Sequence, residues 1–181
     1  VDKTTIAKGV QLILEGLGVD KSDHNFFDTP QRYARALEEI FAPPLNHTTT
    51  FEESYADFIL VREHEIHTLC PHHLLPMRML VSLAYIPNGR VLGLSKLVRI
   101  MQKANSGPIM QERFTYAVKD ILEESLEQEV DGICVLVEGW HGCMSMRGVR
   151  SSASTITMAS SGHFADDDRM LDRFLSLVRG K

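Results

Sequence analysis

The stretch 79–96, MLVSLAYIPNGRVLGLSK, decides what kind of fold this chain takes. Arg78 to Ile86 is rich in aliphatic, β-branched and aromatic side chains, which suit a pleated, buried strand. Pro87-Asn88-Gly89 then supplies a strong turn signal. Val91 to Leu94 reads as a short extended piece, and Ser95 can cap a helix running to about Ala104. A strand, a tight turn and a helix in quick succession mark an α+β chain.

Working upstream, Phe58 to Leu69 reads as a partner strand, and residues 45 to 57 read as a loop. Asp28-Thr29-Pro30 opens a helix: Asp28 or Thr29 can cap it, and Pro30 suits its first position. Tyr33, Ala34, Leu37, Ile40 and Phe41 give that helix an apolar stripe, and Pro43-Pro44 ends it. An earlier helix carries Ile6, Val10, Ile13, Leu14 and Leu17 on one face, with Gly18 as its C-terminal stop.

Downstream, Asn105-Ser106-Gly107-Pro108 interrupts the chain. A longer helix follows from about Ile109 to Glu127, with Phe114, Ala117, Val118, Ile121, Leu122 and Leu126 facing inward. Gly132 to Trp140 and Ser154 to Ser160 read as strands. Asp166 to Arg179 is a closing helix with Met170, Leu171, Phe174, Leu175 and Val178 on one face. The result is an α+β order with antiparallel hairpins. Four strands leave open edges, so pairing with other subunits is expected.

The chain has 181 residues, enough for a sizeable core, and is 44% hydrophobic and 24% charged. A formal net charge of -5 argues against nucleic-acid or membrane-surface partners, which favour a basic face. No apolar run reaches the ~18 residues that a membrane helix needs. The first ten residues lack the apolar segment of a signal peptide, and Val1 stands where an initiator Met would, so a trimmed N-terminus is expected. Three Cys do not make a disulfide scaffold, and a cytoplasmic location is the default expectation.

Cys70-Pro71-His72-His73 is the densest chemical cluster. Thiolate and imidazole are zinc's preferred donors, and a C-x-x-H spacing lets one tight turn aim both at a single ion. His141-Gly142-Cys143, at a strand end, is the obvious source of a third ligand. Three protein ligands leave a position for water, the catalytic pattern. The spacing alone leaves a plainer alternative open, with Cys70 a buried thiol and His72 and His73 polar loop residues. Cys134 lies mid-strand and belongs to the core. His24, His47, His64 and His67 read as surface or structural residues, as does His163, which reads as a loop residue near Phe164.

Ser95, Lys96 and Arg99 cluster at a helix start, where backbone N–H groups and the dipole favour anions. Arg147-Gly148 follows Cys143 closely, and Arg32 and Arg35 lie close together on the second helix. Such a set suits a polyphosphate, although single basic residues on helices are usually solvated surface.

In order and spacing, several motifs together resemble GTP cyclohydrolase I. They are Asp28-Thr29-Pro30-x-Arg32, Cys70-Pro71-His72-His73, Ala84-Tyr85-Ile86-Pro87, Gly93-Leu94-Ser95-Lys96-Leu97-Val98-Arg99, Gln111-Glu112-Arg113 and His141-Gly142-Cys143 through Arg147-Gly148-Val149. The likeness runs from about residue 26 onward. It implies a tunnelling fold, in which antiparallel β-hairpins with two intervening helices join across subunits into an oligomeric β-barrel. Residues 1–45 would be an N-terminal helical segment and 46–181 the catalytic domain. It further implies a homodecamer of two stacked pentamers with active sites between subunits. The substrate would be GTP, with 7,8-dihydroneopterin triphosphate and formate as products.

Residue by residue, the resemblance assigns Cys70, His73 and Cys143 to zinc, whose activated water attacks the purine. It assigns His141 and His72 to proton transfer, and Glu112 to guanine with Gln111 beside it. It places Ser95, Lys96, Arg99 and Arg147 on the triphosphate, joined by Arg32 and Arg35 of a neighbouring subunit. Two features depart from the family's pattern. Pro71 stands where the family usually has Glu, and residues 105–108 lack the Arg usual there. Three other readings remain: a relative acting on another purine nucleotide, a nitrile reductase of the same fold, and a zinc-stabilised nucleotide-binding protein without turnover. The complete Cys-His-Cys set argues against the reductase, and the retained His72, His141 and Glu112 argue against mere binding.

Overall fold

The computed structural model describes residues 1–20, 22–44, 49–53, 55–127 and 129–180. His47, read above as a surface or structural residue, lies outside the described residues. The chain divides into two compact units, Val1–Ala42 and Pro43–Lys181.

In the first unit, Asp2 caps α1 (Lys3–Gly16) by accepting from the backbone N–H groups of Thr4 and Thr5. Gly18 at φ 71 turns the chain after the last turn, a conformation that glycine adopts without a Cβ clash. In α2 (Thr29–Ile40) Pro30 sits in the first turn. The Asp28 side chain makes no capping bond and instead meets Arg32 at 3.4 Å. Lys3 and Glu38 pair at 2.8 Å. The inward stripe expected on α1 is only partly inward: Val10 is buried, but Ile13 and Leu17 are 61% and 72% exposed. A single helical neighbour covers one narrow stripe, and the α1 face is wider than that. Tyr33 on α2 is likewise exposed.

The second unit is built on a four-stranded antiparallel sheet in the order β2-β3-β5-β6. Its strands are β2 (Ile59–Leu69), β3 (Pro76–Pro87), β5 (Val130–His141) and β6 (Thr155–Gly162). Between the second and third of these the chain passes through α3 (Leu94–Ala104) and α4 (Gln111–Ser125), which lie on one face. Alternate residues of β3, Met77, Met79, Val81, Leu83 and Tyr85, point to that face. They meet Leu97 and Met101 of α3 and Phe114, Val118 and Leu122 of α4. Over part of its length the other face is covered too. There Ala84, Ile86 and Cys134 pack with Phe58, with Phe164 of α6 (His163–Asp166) and with Phe174 of α7 (Asp168–Arg179). Double coverage explains why MLVSLAYI is apolar at nearly every position rather than at alternate ones.

Three expectations are corrected. The loop read over 45–57 contains β1 (Thr50–Glu52), which pairs with β4 (Arg90–Leu92) in a small separate sheet. Three residues are too few to show an alternating pattern, and the pairing depends on β4. Ser95 does not cap α3: the helix starts at Leu94, two residues earlier than a Ser95 cap would set it, with Gly93 at its cap. The Lys96 N–H bonds the Gly93 carbonyl at 2.7 Å, which leaves Ser95 exposed in the first turn. His163 opens a short helix rather than sitting in a loop.

The Tyr85 hydroxyl, fully buried, accepts from the Leu92 N–H at 2.8 Å and so ties β4 to the core. Tyr85→Phe leaves that N–H without a partner and is expected to cost about 1–3 kcal/mol, read as a lower urea midpoint. An unchanged midpoint would show that the bond contributes nothing.

Candidate metal centre and active site

The register of the sheet brings two distant segments together. Pro76 faces Leu69 across the β2–β3 hairpin, and Met77 faces His141 at the end of β5. The loop 70–75 and the segment after His141 therefore emerge side by side from one end of the sheet. The loop is a compact turn in which the Leu74 N–H bonds the Cys70 carbonyl at 2.8 Å and the Cys70 N–H bonds the Leu75 carbonyl at 2.9 Å. Leu74 takes φ 52 to close it. Beyond β5, α5 (Gly142–Ser145) starts at once. A Cβ on Gly142 would lie 2.8 Å from the Pro76 carbonyl, so only glycine lets this turn press against β3.

These turns place the ligand atoms of Cys70, His73 and Cys143 all within 4.8 Å of one another. Cys70 Sγ is 3.7 Å from His73 Nδ1. A tetrahedral zinc with bonds of about 2.0–2.3 Å sets its ligands about 3.6–3.8 Å apart, so the donor set and its spacing fit such an ion. Burial, then the hydrogen bond and charge of Cys70, push the Cys143 thiol above its ordinary range. Two sulfur donors and an imidazole at this spacing make a pocket suited to a divalent cation, which binds in place of the thiol protons. Cys70 is buried, Cys143 half-buried and His73 exposed, so the pocket opens to solvent on the imidazole side. Cys134 sits deep in the sheet, where burial drives its thiol to about 12, out of metal or nucleophile chemistry.

Pro71 follows Cys70 directly, at a position whose nitrogen neither turn bond uses. Proline there sacrifices no donor and restricts the loop. Pro71→Ala is expected to lower folding stability by about 0.4–1 kcal/mol in urea titrations. A gain in stability would mean that the ring is strained in place.

The other site residues surround this pocket unevenly. His72 is exposed, with Nδ1 3.9 Å from Cys70 Sγ. Arg147 donates to His73 Nε2 at 2.8 Å, which leaves Nδ1 towards the sulfur. Glu112 is exposed in the first turn of α4. Ser95, Lys96 and Arg99 occupy the first turns of α3, and among the described residues no hydrogen bond or ion pair joins them to the cysteines. Arg32 and Arg35 belong to α2 of the first unit. His141 is half-buried, and loss of water lowers its pKa, with the Glu112 carboxylate pulling the other way.

Gln111, expected beside the guanine reader, is only 2% exposed. Its Nε2 donates to the carbonyls of Val137 and Thr155 and to the Thr157 hydroxyl, and its Oε1 meets His141 Nε2 at 2.8 Å. Sequence reasoning missed this link. The available signal was Gly139, a glycine inside an apolar strand, which often marks a close approach.

The family model for GTP cyclohydrolase I matches residues 6–179. The chain is 39% identical over 186 residues to a GTP cyclohydrolase 1 of Listeria monocytogenes serotype 4b (strain CLIP80459), covering 99% of this chain and 97% of the relative. It is 40% identical over 184 residues to that of Clostridium perfringens (strain 13 / Type A), covering 98% of each. A Sulfurihydrogenibium relative of the same name is 39% identical over 181 residues, covering 98% of this chain and 96% of that one.

Proposed function

Because the chain belongs to the GTP cyclohydrolase I family and is an enzyme that converts GTP to 7,8-dihydroneopterin triphosphate, we propose that Cys70, His73 and Cys143 hold a zinc ion at its reaction centre. The observation that carries this reading is the convergence of two thiols and an imidazole within 4.8 Å, at the meeting point of two chain segments seventy residues apart. When bound, zinc supplies Lewis-acid activation of water at neutral pH. The remaining work falls to side chains.

His141 is placed to pass a proton to the purine ring as it opens; burial lowers its pKa, and the Glu112 carboxylate opposes that shift. His72, beside Cys70 and open to solvent, serves in proton transfer. The exposed Glu112 carboxylate reads guanine, whose ring N–H and 2-amino group are parallel donors that adenine lacks. Gln111 lies directly before it in the chain. Ser95, Lys96 and Arg99 at the start of α3 suit a triphosphate, with Arg147 at the mouth of the metal pocket. Arg32 and Arg35 complete that set from another copy.

The assembly belongs to the same proposal, as a decamer of two pentamers whose sheets close into a barrel. Two features support it, open sheet edges and exposed apolar side chains. Strands β2 and β6 are open sheet edges. Ile156 and Met158 are exposed on β6, and Leu12, Leu17 and Phe27 are exposed in the first unit. Among the described residues no helix is long and apolar enough to cross a membrane.

Incubation with GTP and zinc, followed by formate release and pterin fluorescence, tests the reading. Binding of GTP without product would count against it. Glu112→Ala is expected to weaken GTP binding by about 10- to 100-fold, the loss of a charged hydrogen-bond pair. Calorimetry showing unchanged affinity would remove Glu112 from guanine recognition.

A further inference from the structure

We infer that Gln111 is a positioning residue for His141, fixing which ring nitrogen carries the proton, and that Gly139 is the notch that lets the two side chains meet. The inference rests on the functional reading above only in calling His141 a proton-transfer group.

The orientation of the Gln111 amide follows from its surroundings. Its Nε2 faces two backbone carbonyls, Val137 at 3.0 Å and Thr155 at 2.9 Å, which can only accept. The nitrogen must therefore lie on that side and the oxygen on the other. Oε1 then faces His141 Nε2 at 2.8 Å. An amide oxygen only accepts, so Nε2 must carry hydrogen. In neutral imidazole that leaves Nδ1 with the lone pair. Nε2 is thus committed to the protein, and Nδ1 is the ring nitrogen left open to other partners.

Burial makes the arrangement stiff. Gln111 is 2% exposed, and its Nε2 also donates to the Thr157 hydroxyl at 3.0 Å, which shares a 2.7 Å bond with Thr115. The Thr115 hydroxyl donates to the Gln111 backbone carbonyl at 2.8 Å, which ties the Thr115–Thr157 pair to the start of α4. Gly139 lies two residues before His141 on β5, where the side chain would point to the same face. A Cβ there would lie 2.0 Å from Gln111 Oε1 and 3.0 Å from His141 Nε2. Any side chain at 139 would drive a wedge between the partners. The oxygen cannot step aside cheaply, because moving it breaks the bonds that hold Nε2.

Heteronuclear NMR of the ring nitrogens reads the tautomer directly in the zinc-loaded protein. Wild type is expected to show His141 protonated on Nε2 alone when neutral. Gln111→Met keeps the side-chain length without an acceptor and should give a mixture of tautomers. The same variant should lower kcat by about ten- to a hundredfold, the range for a lost orienting partner, with little change in KM. Gly139→Ala, which leaves both partners in the chain, should mix the tautomers too, and it serves if the Met variant fails to fold. A wild-type His141 protonated on Nδ1, or an unmixed Nε2–H tautomer in either variant, overturns the inference. Wild-type protein that releases no formate would overturn the functional reading instead, because the ring spectra report on Gln111 independently of turnover.

Discussion

Cys143→Ala is expected to lose bound zinc and, with it, all detectable formate release. The variant removes one of two sulfurs and leaves Cys70 and His73, which together cannot close a tetrahedral site. Metal analysis of the purified variant should therefore find little zinc. A second readout follows from linkage, because an ion that binds only the folded chain stabilises it. With free zinc a thousandfold above its Kd, wild type should gain about 4 kcal/mol, seen as a zinc-dependent rise in Tm. The variant should show no such rise. Cys134→Ala is the control: its thiol is buried in the sheet with its pKa driven to about 12, so zinc content should not change. Zinc retained by the Cys143 variant would remove that residue from the ligand set.

The second large effect is expected at the histidines that do not ligate. His141→Ala and His72→Ala should each lower turnover by about 10²–10⁴-fold, the range for a lost acid–base group. Both should keep near-normal zinc, since neither belongs to the Cys70, His73, Cys143 group. The two variants differ in what they leave behind. At His141, loss of the ring strands the Gln111 oxygen in a buried pocket and costs some stability as well. His72 is exposed, and its removal should leave the urea midpoint unchanged. Zinc lost along with activity in either variant would recast that histidine as part of the metal site.

Much of this was legible in the sequence because the informative residues are rare types at short spacing. Cys-x-x-His and His-x-Cys offer zinc's preferred donors but left a plainer reading open until the motifs around them were added, and a strand-turn-helix succession such as 79–104 leaves few folds open. The core faces of α4 and α7 were legible because each is a long helix packed on a sheet, where the 3.6-residue period survives. The α1 face misled because periodicity shows that a helix is amphipathic, not what covers it, and Ile13 and Leu17 are uncovered in the single chain. β1 was missed because its only signal is its partner strand. The Gln111–His141 bond was beyond reach for a related reason. It depends on the register that sets Gly139 opposite Met79 and on the path of α4 across β5 and β6. Sequence showed a glutamine beside a glutamate. Only the packing shows that one turns into the protein and the other out to solvent.

On the proposed reading, GTP turnover depends on zinc held by Cys70, His73 and Cys143. The most direct measurement is formate release from GTP by the wild-type protein as purified, after chelation, and after zinc is restored, with metal content followed in parallel. One zinc per chain, formate and pterin triphosphate in equal amounts, loss of both on chelation and recovery of both with zinc are expected. Undiminished formate release from chelated, zinc-free protein would contradict that reading.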